Sequence, residues 1–108
     1  MTDKALGMLG LACRAGKVVS GEFSVESAVR KHKAKLVIVA GDASENTRSS
    51  FTDLCAYYKV PVCIYATREA LGAFTGKGFR ASAAVLDDNF ANTIKKLVEE
   101  EIQKNLEG

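Results

Sequence analysis

The stretch Lys35-Leu36-Val37-Ile38-Val39-Ala40 is almost unbroken apolar sequence with three consecutive β-branched residues. It is of strand length, too short for a buried helix. No polar residue interrupts it, so neither face is solvated, which predicts a central strand covered on both sides. Downstream, Gly41-Asp42-Ala43-Ser44-Glu45-Asn46 is rich in turn and helix-capping residues. It leads into a helix over about 46–58 with Phe51, Leu54, Cys55 and Tyr58 as its inward stripe. Upstream, Val25, Ala28, Val29 and His32 recur at helical spacing. They predict a helix over about 22–33, begun by Ser20 or Gly21, with His32 in the core.

The same alternation continues to both ends. Leu6, Leu9 and Cys13 mark a helix over about 3–15, with Gly16 as its stop. Val18-Val19 is a minimal extended piece. Val60-Pro61-Val62-Cys63-Ile64-Tyr65 is a strand with its proline at the start, where a missing N–H is tolerated. Thr67 caps a short helix over 68–74, and 76–80 is a loop. Residues 83–86 form a last strand of small residues. Asp88 caps a final helix with Phe90, Ile94, Leu97 and Ile102 inward, fraying from Gln103. Helices between most consecutive strands predict substantial parallel pairing with right-handed crossovers. The expectation is one α/β domain over 1–108.

Composition narrows the function classes. The chain is 47% hydrophobic and 26% charged, a globular balance, and no apolar run approaches the ~20 residues of a membrane span. The N-terminus lacks an uninterrupted secretory apolar region, so a cytoplasmic protein that does not engage membranes is expected. Cys13, Cys55 and Cys63 form no CxxC pair and read as buried free thiols. His32, the lone histidine, has no partner ligands for zinc. No nucleophile has a credible base beside it, and Asp87-Asp88 is read as a strand-to-helix junction rather than a carboxylate pair. An enzyme, a cofactor, a metal and a small-molecule substrate are therefore not expected. The net charge of +2 divides into +5 over residues 1–80 and −3 over 81–108, which suits a basic body facing a polyanion.

Two stretches offer anion chemistry. Lys17-Val18-Val19-Ser20-Gly21-Glu22 sets a lysine and a glycine beside a helix start, where free N–H groups favour phosphate. Arg30, Lys31, Lys33 and Lys35 follow it, and they read equally as a solvated helix end. Gly76-Lys77-Gly78-Phe79-Arg80 is either a turn or a backbone loop that holds phosphate with Lys77 and Arg80.

Taken together, Leu9 to Gly21, Ala34 to Ser44, Tyr58 to Val62, Leu71-Gly72 to Gly76-Lys77, and Asp87 to Asn92 resemble the ribosomal protein seven-Ae/thirty-e superfamily, whose typical members bind kink-turn RNA. The likeness covers nearly the whole chain and is greatest to the bacterial YlxQ-type branch. It implies a three-layer α/β/α sandwich with a four-stranded mixed sheet and about five helices. It also implies an RNA surface made of Lys17, Ser20 to Ser27, Gly41 to Ala43 and Phe79 to Ser82. On this chain the surface comprises Lys17, Ser20, Gly21, Glu22, Phe23, Ser24, Ser27, Asp42, Phe79, Arg80, Ala81 and Ser82, with Arg30, Lys31 and Lys77 as further cations. Typical members carry Gly-x-Asn-Glu-x-x-Lys at the helix start, the Asn and Lys reading sheared G·A pairs. Phe23, Ser24 and Ser27 stand at those three positions here. The resemblance thus implies a ribosomal-protein-like accessory factor of translation with weakened or altered kink-turn selectivity. Its partners would be structured RNA and, through it, the ribosome or a translation factor. A protein-interaction module that has lost RNA binding is the alternative. Phe23 reads as a core residue, a helix staple or a stacking platform for an unpaired base.

Overall fold

The computed structural model describes residues 3–107. Its elements run α1 (Lys4–Arg14), β1 (Val18–Ser20), α2 (Glu22–Arg30), β2 (Leu36–Val39), α3 (Glu45–Tyr58), β3 (Val62–Ile64), α4 (Arg68–Phe74), β4 (Ser82–Val85) and α5 (Asp88–Glu107). The sheet order is β1-β4-β2-β3. Helices α2 and α3 pack on one face of the sheet, and α1, α4 and α5 form the other layer. The architecture is thus the expected α/β/α sandwich with five helices and a mixed four-stranded sheet.

Every residue of β2 is buried, between β4 and β3, as its uninterrupted apolar sequence predicts. Parallel pairing is less extensive than expected. Only β2–β3 is parallel, whereas β4 runs antiparallel to both β1 and β2. Strands β1, β2 and β3 share one direction, as their helical connections require. The short α4 and its following loop bring β4 back in the opposite sense to fill the gap between β1 and β2. Its inserted residues are small: Ala83 and Ala84 are fully buried beneath helices on both faces.

Local chemistry sets the boundaries. Asp3, Ser44 and Thr67 accept from the N–H of Leu6, Thr47 and Ala70, so each caps a helix start. Four helices end alike, with a left-handed residue followed by an N–H that reaches back to a carbonyl of the last turn. Lys17 donates to Ala12, Lys33 to Ala28, Val60 to Cys55 and Lys77 to Gly72, all at 2.8–2.9 Å. The left-handed residues are Gly16, His32, Lys59 and Gly76.

Those terminations correct several expectations. Helix α2 stops at Arg30, because His32 adopts φ 59° and turns the chain. His32 is consequently exposed, not a core residue, and meets Tyr58 edge-on with ring centroids 5.6 Å apart. The cap of α5 is Asp87, not Asp88: its carboxylate accepts from the Phe90 N–H at 2.9 Å. On α5 Ile94 is buried and Phe90 and Leu97 pack against the core as expected, joined by Ala91 and Val98, whereas Ile102 is exposed. The helix continues past Gln103 to Glu107. Of the three thiols only Cys55 is buried, and burial pushes it up to about 11. Cys13 and Cys63 are half-buried, and all three are free.

Candidate nucleic-acid interface

The carboxyl ends of β1, β2 and β3 and the start of β4 lie at one end of the sheet, and short backbone hydrogen bonds tie their loops together. Gly21 donates to the Ser82 carbonyl at 3.1 Å, Ala40 to Ala81 at 2.8 Å, and Gly41 to Ala66 at 2.8 Å. Arg80 donates its backbone N–H to Arg68 at 3.0 Å. Segments 20–22, 40–43, 66–68 and 79–82 therefore form one knitted surface although 62 positions separate Ser20 from Ser82.

Two glycines make that surface possible. Gly21, ahead of α2, has φ 96° and ψ 150°, a region that is essentially closed to other residues. It supplies no side-chain cap, so the first N–H groups of α2 are left uncapped by it. Gly72 in α4 lies directly against the loop after it: a Cβ there would overlap the Gly78 carbonyl oxygen. The absence of that Cβ lets residues 78–80 fold down onto α4 and reach the sheet end.

Asp42 organises the middle of the surface. Its Oδ1 accepts from the backbone N–H of Arg68 at 2.8 Å, and its Oδ2 is 3.6 Å from the Arg68 Nε. Arg68 in turn lies 5.9 Å from the centroid of the Phe79 ring, over its face. Sequence reading missed Arg68. A cation in the first turn of a helix opposes the helix dipole, and that anomaly was legible in Thr67-Arg68-Glu69. Arg80 donates its Nη1 to the Phe79 carbonyl at 3.0 Å, while its buried Nε and the buried Ser82 Oγ have no acceptor among the described residues.

Phe23 is 86% exposed. It is neither a core residue nor a staple, which removes two of its three readings. Phe79 is also exposed, at 64%. Ser24 is exposed and Ser27 half-buried on the same helix, and a groove joins Phe23 and Ser27 to Glu26, Arg30 and Lys31. Glu22 is exposed at the helix start.

The expected residues do not all converge. Ser20, Gly21, Glu22, Asp42, Phe79, Arg80, Ala81 and Ser82 belong to the knitted end, Ala81 and Ser82 through backbone carbonyls, and Phe23 and Ser24 follow in the first turn of α2. Lys77 borders β1 from the other layer, in a cavity it shares with Ser20 and Ser24. Lys17 lies at the opposite end of β1, about 13 Å from Gly21 at 3.3 Å per residue. Its carbonyl accepts from the Leu86 N–H at 2.8 Å. Arg30 and Lys31 sit at the far end of α2. Convergence of Lys17, Arg30, Lys31, Lys77 and Arg80 on one face would favour RNA, and their scatter around an apolar Phe23 patch a protein partner; they divide between the two ends of the sheet, and Phe23 shares its groove with Glu26, Arg30 and Lys31.

Among the described residues, no three His, Cys, Asp or Glu side chains cluster as metal ligands, and no helix is long and apolar enough to cross a membrane.

Comparison with known proteins places this geometry. The RNA-binding protein YlxQ of Bacillus subtilis (strain 168) is 48% identical over 92 residues, 85% of this chain and 92% of the relative. The RNA-binding protein YlxQ of Enterococcus faecium is 40% identical over 97 residues, 90% of this chain and 93% of the relative. A solved protein of unknown function from Bacillus halodurans superposes with a TM-score of 0.87 at 35% identity, covering 91% of this chain and 99% of that one. The Giardia lamblia 15.5kD RNA binding protein shares the fold, with a TM-score of 0.76 at 20% identity over 93% of this chain and 89% of its own. The profile of the ribosomal protein L7Ae/L30e/S12e/Gadd45 family matches residues 3–96, and the chain belongs to that family.

Proposed function

We propose that this protein binds structured RNA at the knitted end of its sheet, as a non-catalytic cytoplasmic accessory factor of the translation apparatus. The observation that carries the reading is the convergence of three chain-distant segments, 20–24, 41–43 and 79–82, around the uncapped start of α2. Two relatives that share 40% or more of the sequence over most of its length are named RNA-binding proteins, which favours RNA over a protein partner at this surface.

The surface suits an irregular RNA better than a standard kink-turn. Phe23, Ser24 and Ser27 replace the side chains that read sheared G·A pairs. Phe23 and Phe79 instead offer two exposed rings for stacking on unpaired bases. Arg80 and the α2 N–H groups supply donors for phosphate.

Binding of a standard kink-turn, followed by fluorescence anisotropy, tests the selectivity. Two lost base contacts at ~1–3 kcal/mol each predict affinity roughly 30-fold below that of a typical kink-turn binder. The combined variant Phe23→Asn, Ser24→Glu, Ser27→Lys is expected to recover most of that loss. All three positions are at least partly exposed, so the melting temperature should be retained. Nanomolar binding by the unmodified protein, or no gain in a stably folded triple variant, would refute altered selectivity.

A further inference from the structure

The end of the sheet opposite the knitted one gathers the cations that the first site leaves out. Lys17 and Lys35 flank the end of β4: Leu86 donates to the Lys17 carbonyl at 2.8 Å, and Lys35 donates to the Val85 carbonyl at 2.7 Å. With β4 between them, the two backbones are about 10 Å apart. The register pairs Val19 and Val37 with Ala84, so strand alternation puts positions 17, 35 and 86 on the face that carries Val19. That face packs against α2, because Val19 and Leu86 line a groove of about 280 Å³ with Ser24, Ser27, Lys31 and Lys33. Four lysines from two segments, Lys17 and the 31–35 stretch, therefore lie at this end of the sheet, and Lys31 and Lys33 line the groove itself.

Helix α3 ends at the same place. Tyr58 contacts His32 edge-on and Tyr57 at 4.9 Å, and Tyr57 is 79% exposed. Lys59 follows in a left-handed turn, exposed. Lys17, Lys31, Lys33 and Lys59 follow the ends of α1, α2 and α3, where cations complement the helix dipole, but Lys35 abuts the start of β2 and has no helix end to serve. Ion pairs do not account for the grouping: among the described residues no salt bridge engages Lys17, Lys31, Lys33, Lys35 or Lys59, whereas Arg30 is paired with Glu26 at 3.3 Å. Cations without ionic partners and an exposed aromatic ring at one end of the sheet are the elements of a single-strand nucleic-acid track, in which charge follows the backbone and the ring stacks a base.

We infer that this basic, tyrosine-bearing end of the sheet is a second RNA contact, which holds a single-stranded segment continuing from the knitted end along the groove beside α2. The two contacts are about 12 Å apart along the nine-residue helix, at 1.5 Å rise per residue, and Phe23 borders the groove that joins them. The inference rests on the proposed RNA function and extends it past the surface that the family resemblance implies, with which it shares Lys17 and Lys31, to Lys33, Lys35 and the end of α3.

The test is binding of two RNA probes by the full chain, measured across a salt series. One probe is a hairpin with an internal loop, and the other is the same hairpin with a single-stranded oligouridylate extension. The extension is expected to strengthen binding by the intact protein about tenfold. Lys31→Gln, Lys33→Gln and Lys35→Gln together should abolish that gain and flatten its salt slope by about 2, at ~0.7 per single-strand phosphate contact. Tyr57→Leu should reduce it at least fivefold, and 4-thiouridine in the extension should crosslink within residues 31–35 or 57–59. Removing the same charge on α5, with Lys95→Gln, Lys96→Gln and Lys104→Gln, should leave the gain intact. The second contact is overturned if the extension adds nothing, if the α5 variant loses as much as the 31–35 variant, or if crosslinks fall only in 20–27 and 79–82. In each case an Arg80→Ala loss on the plain hairpin would leave the first site standing. If neither probe binds the intact protein, both readings fail, and an acidic protein surface becomes the partner to seek.

Discussion

The two ends of the sheet are built on opposite principles. At one end, four segments are locked by backbone hydrogen bonds, two glycines and the Asp42–Arg68 contact, and few side chains are free to adapt. At the other, long flexible lysines stand without ionic partners around one exposed tyrosine. The first end has the fixed geometry that shape recognition needs. The second has charge at low positional precision, which suits a backbone contact indifferent to sequence. Substitutions should therefore act mainly on stability at the first end and mainly on salt-dependent binding at the second.

The scale for that comparison is set by a residue belonging to neither end. Phe51 is 3% exposed in α3, and Phe51→Ala should cost ~3–5 kcal/mol in urea unfolding, weakening both RNA contacts only through loss of folded protein. Gly72→Ala should come next, at about 3 kcal/mol, because the colliding atom is a backbone carbonyl that has nowhere to retreat. It should also displace residues 78–80 and weaken hairpin binding in the fraction that remains folded. A Gly72→Ala protein with unchanged stability would break the picture of a locked end.

Gly21→Ala should cost about 2 kcal/mol for the backbone strain alone. There is room for the methyl group, whose nearest neighbours would be Arg80 atoms at 3.8 Å and beyond, so a null result would mean that the loop relaxes without cost. Asp42→Ala removes the acceptor for the Arg68 N–H and should cost about 1 kcal/mol. The exposed Arg68–Asp42 ion pair adds little. At the opposite end, Lys33→Ala should change stability by less than ~0.5 kcal/mol. A larger loss there would mean that the lysines are structural after all, and would erase the contrast.

Much of this fold was readable from periodicity, and the failures share a cause. The buried run at 36–39, the Thr67 cap and the α4 boundaries follow from local pattern alone. The pairing of β4 does not, because the direction in which a strand enters a sheet depends on contacts distant in sequence. His32 satisfied the helical spacing but lies beyond a chain reversal that only its left-handed backbone reveals. Ile102 likewise kept the period after the layer beneath it had ended. At the candidate site, the segments named from the family resemblance do meet, yet Lys17 does not join them: three residues of strand are enough to carry it to the other end. Arg68 went unnoticed because its partner, Asp42, is 26 residues away and nothing local links the two.

The placement of β4 also bears on how the chain is made. Among the described residues β1 pairs with β4 alone, and β2 pairs with β4 along its whole length. A growing polypeptide that has emerged only as far as Phe79 holds the β2–β3 pair but leaves β1 without a neighbour. Long-range pairing of this kind is slow to form, so the emerging chain must wait for its last strand before the sheet can close. Because the loop carrying Phe79 and Arg80 leads directly into that strand, the surface proposed to bind RNA is completed in the same event. Nascent fragments ending before residue 82 should thus lack both a finished sheet and a competent binding edge, and supplying the missing strand as a separate segment would restore the two together.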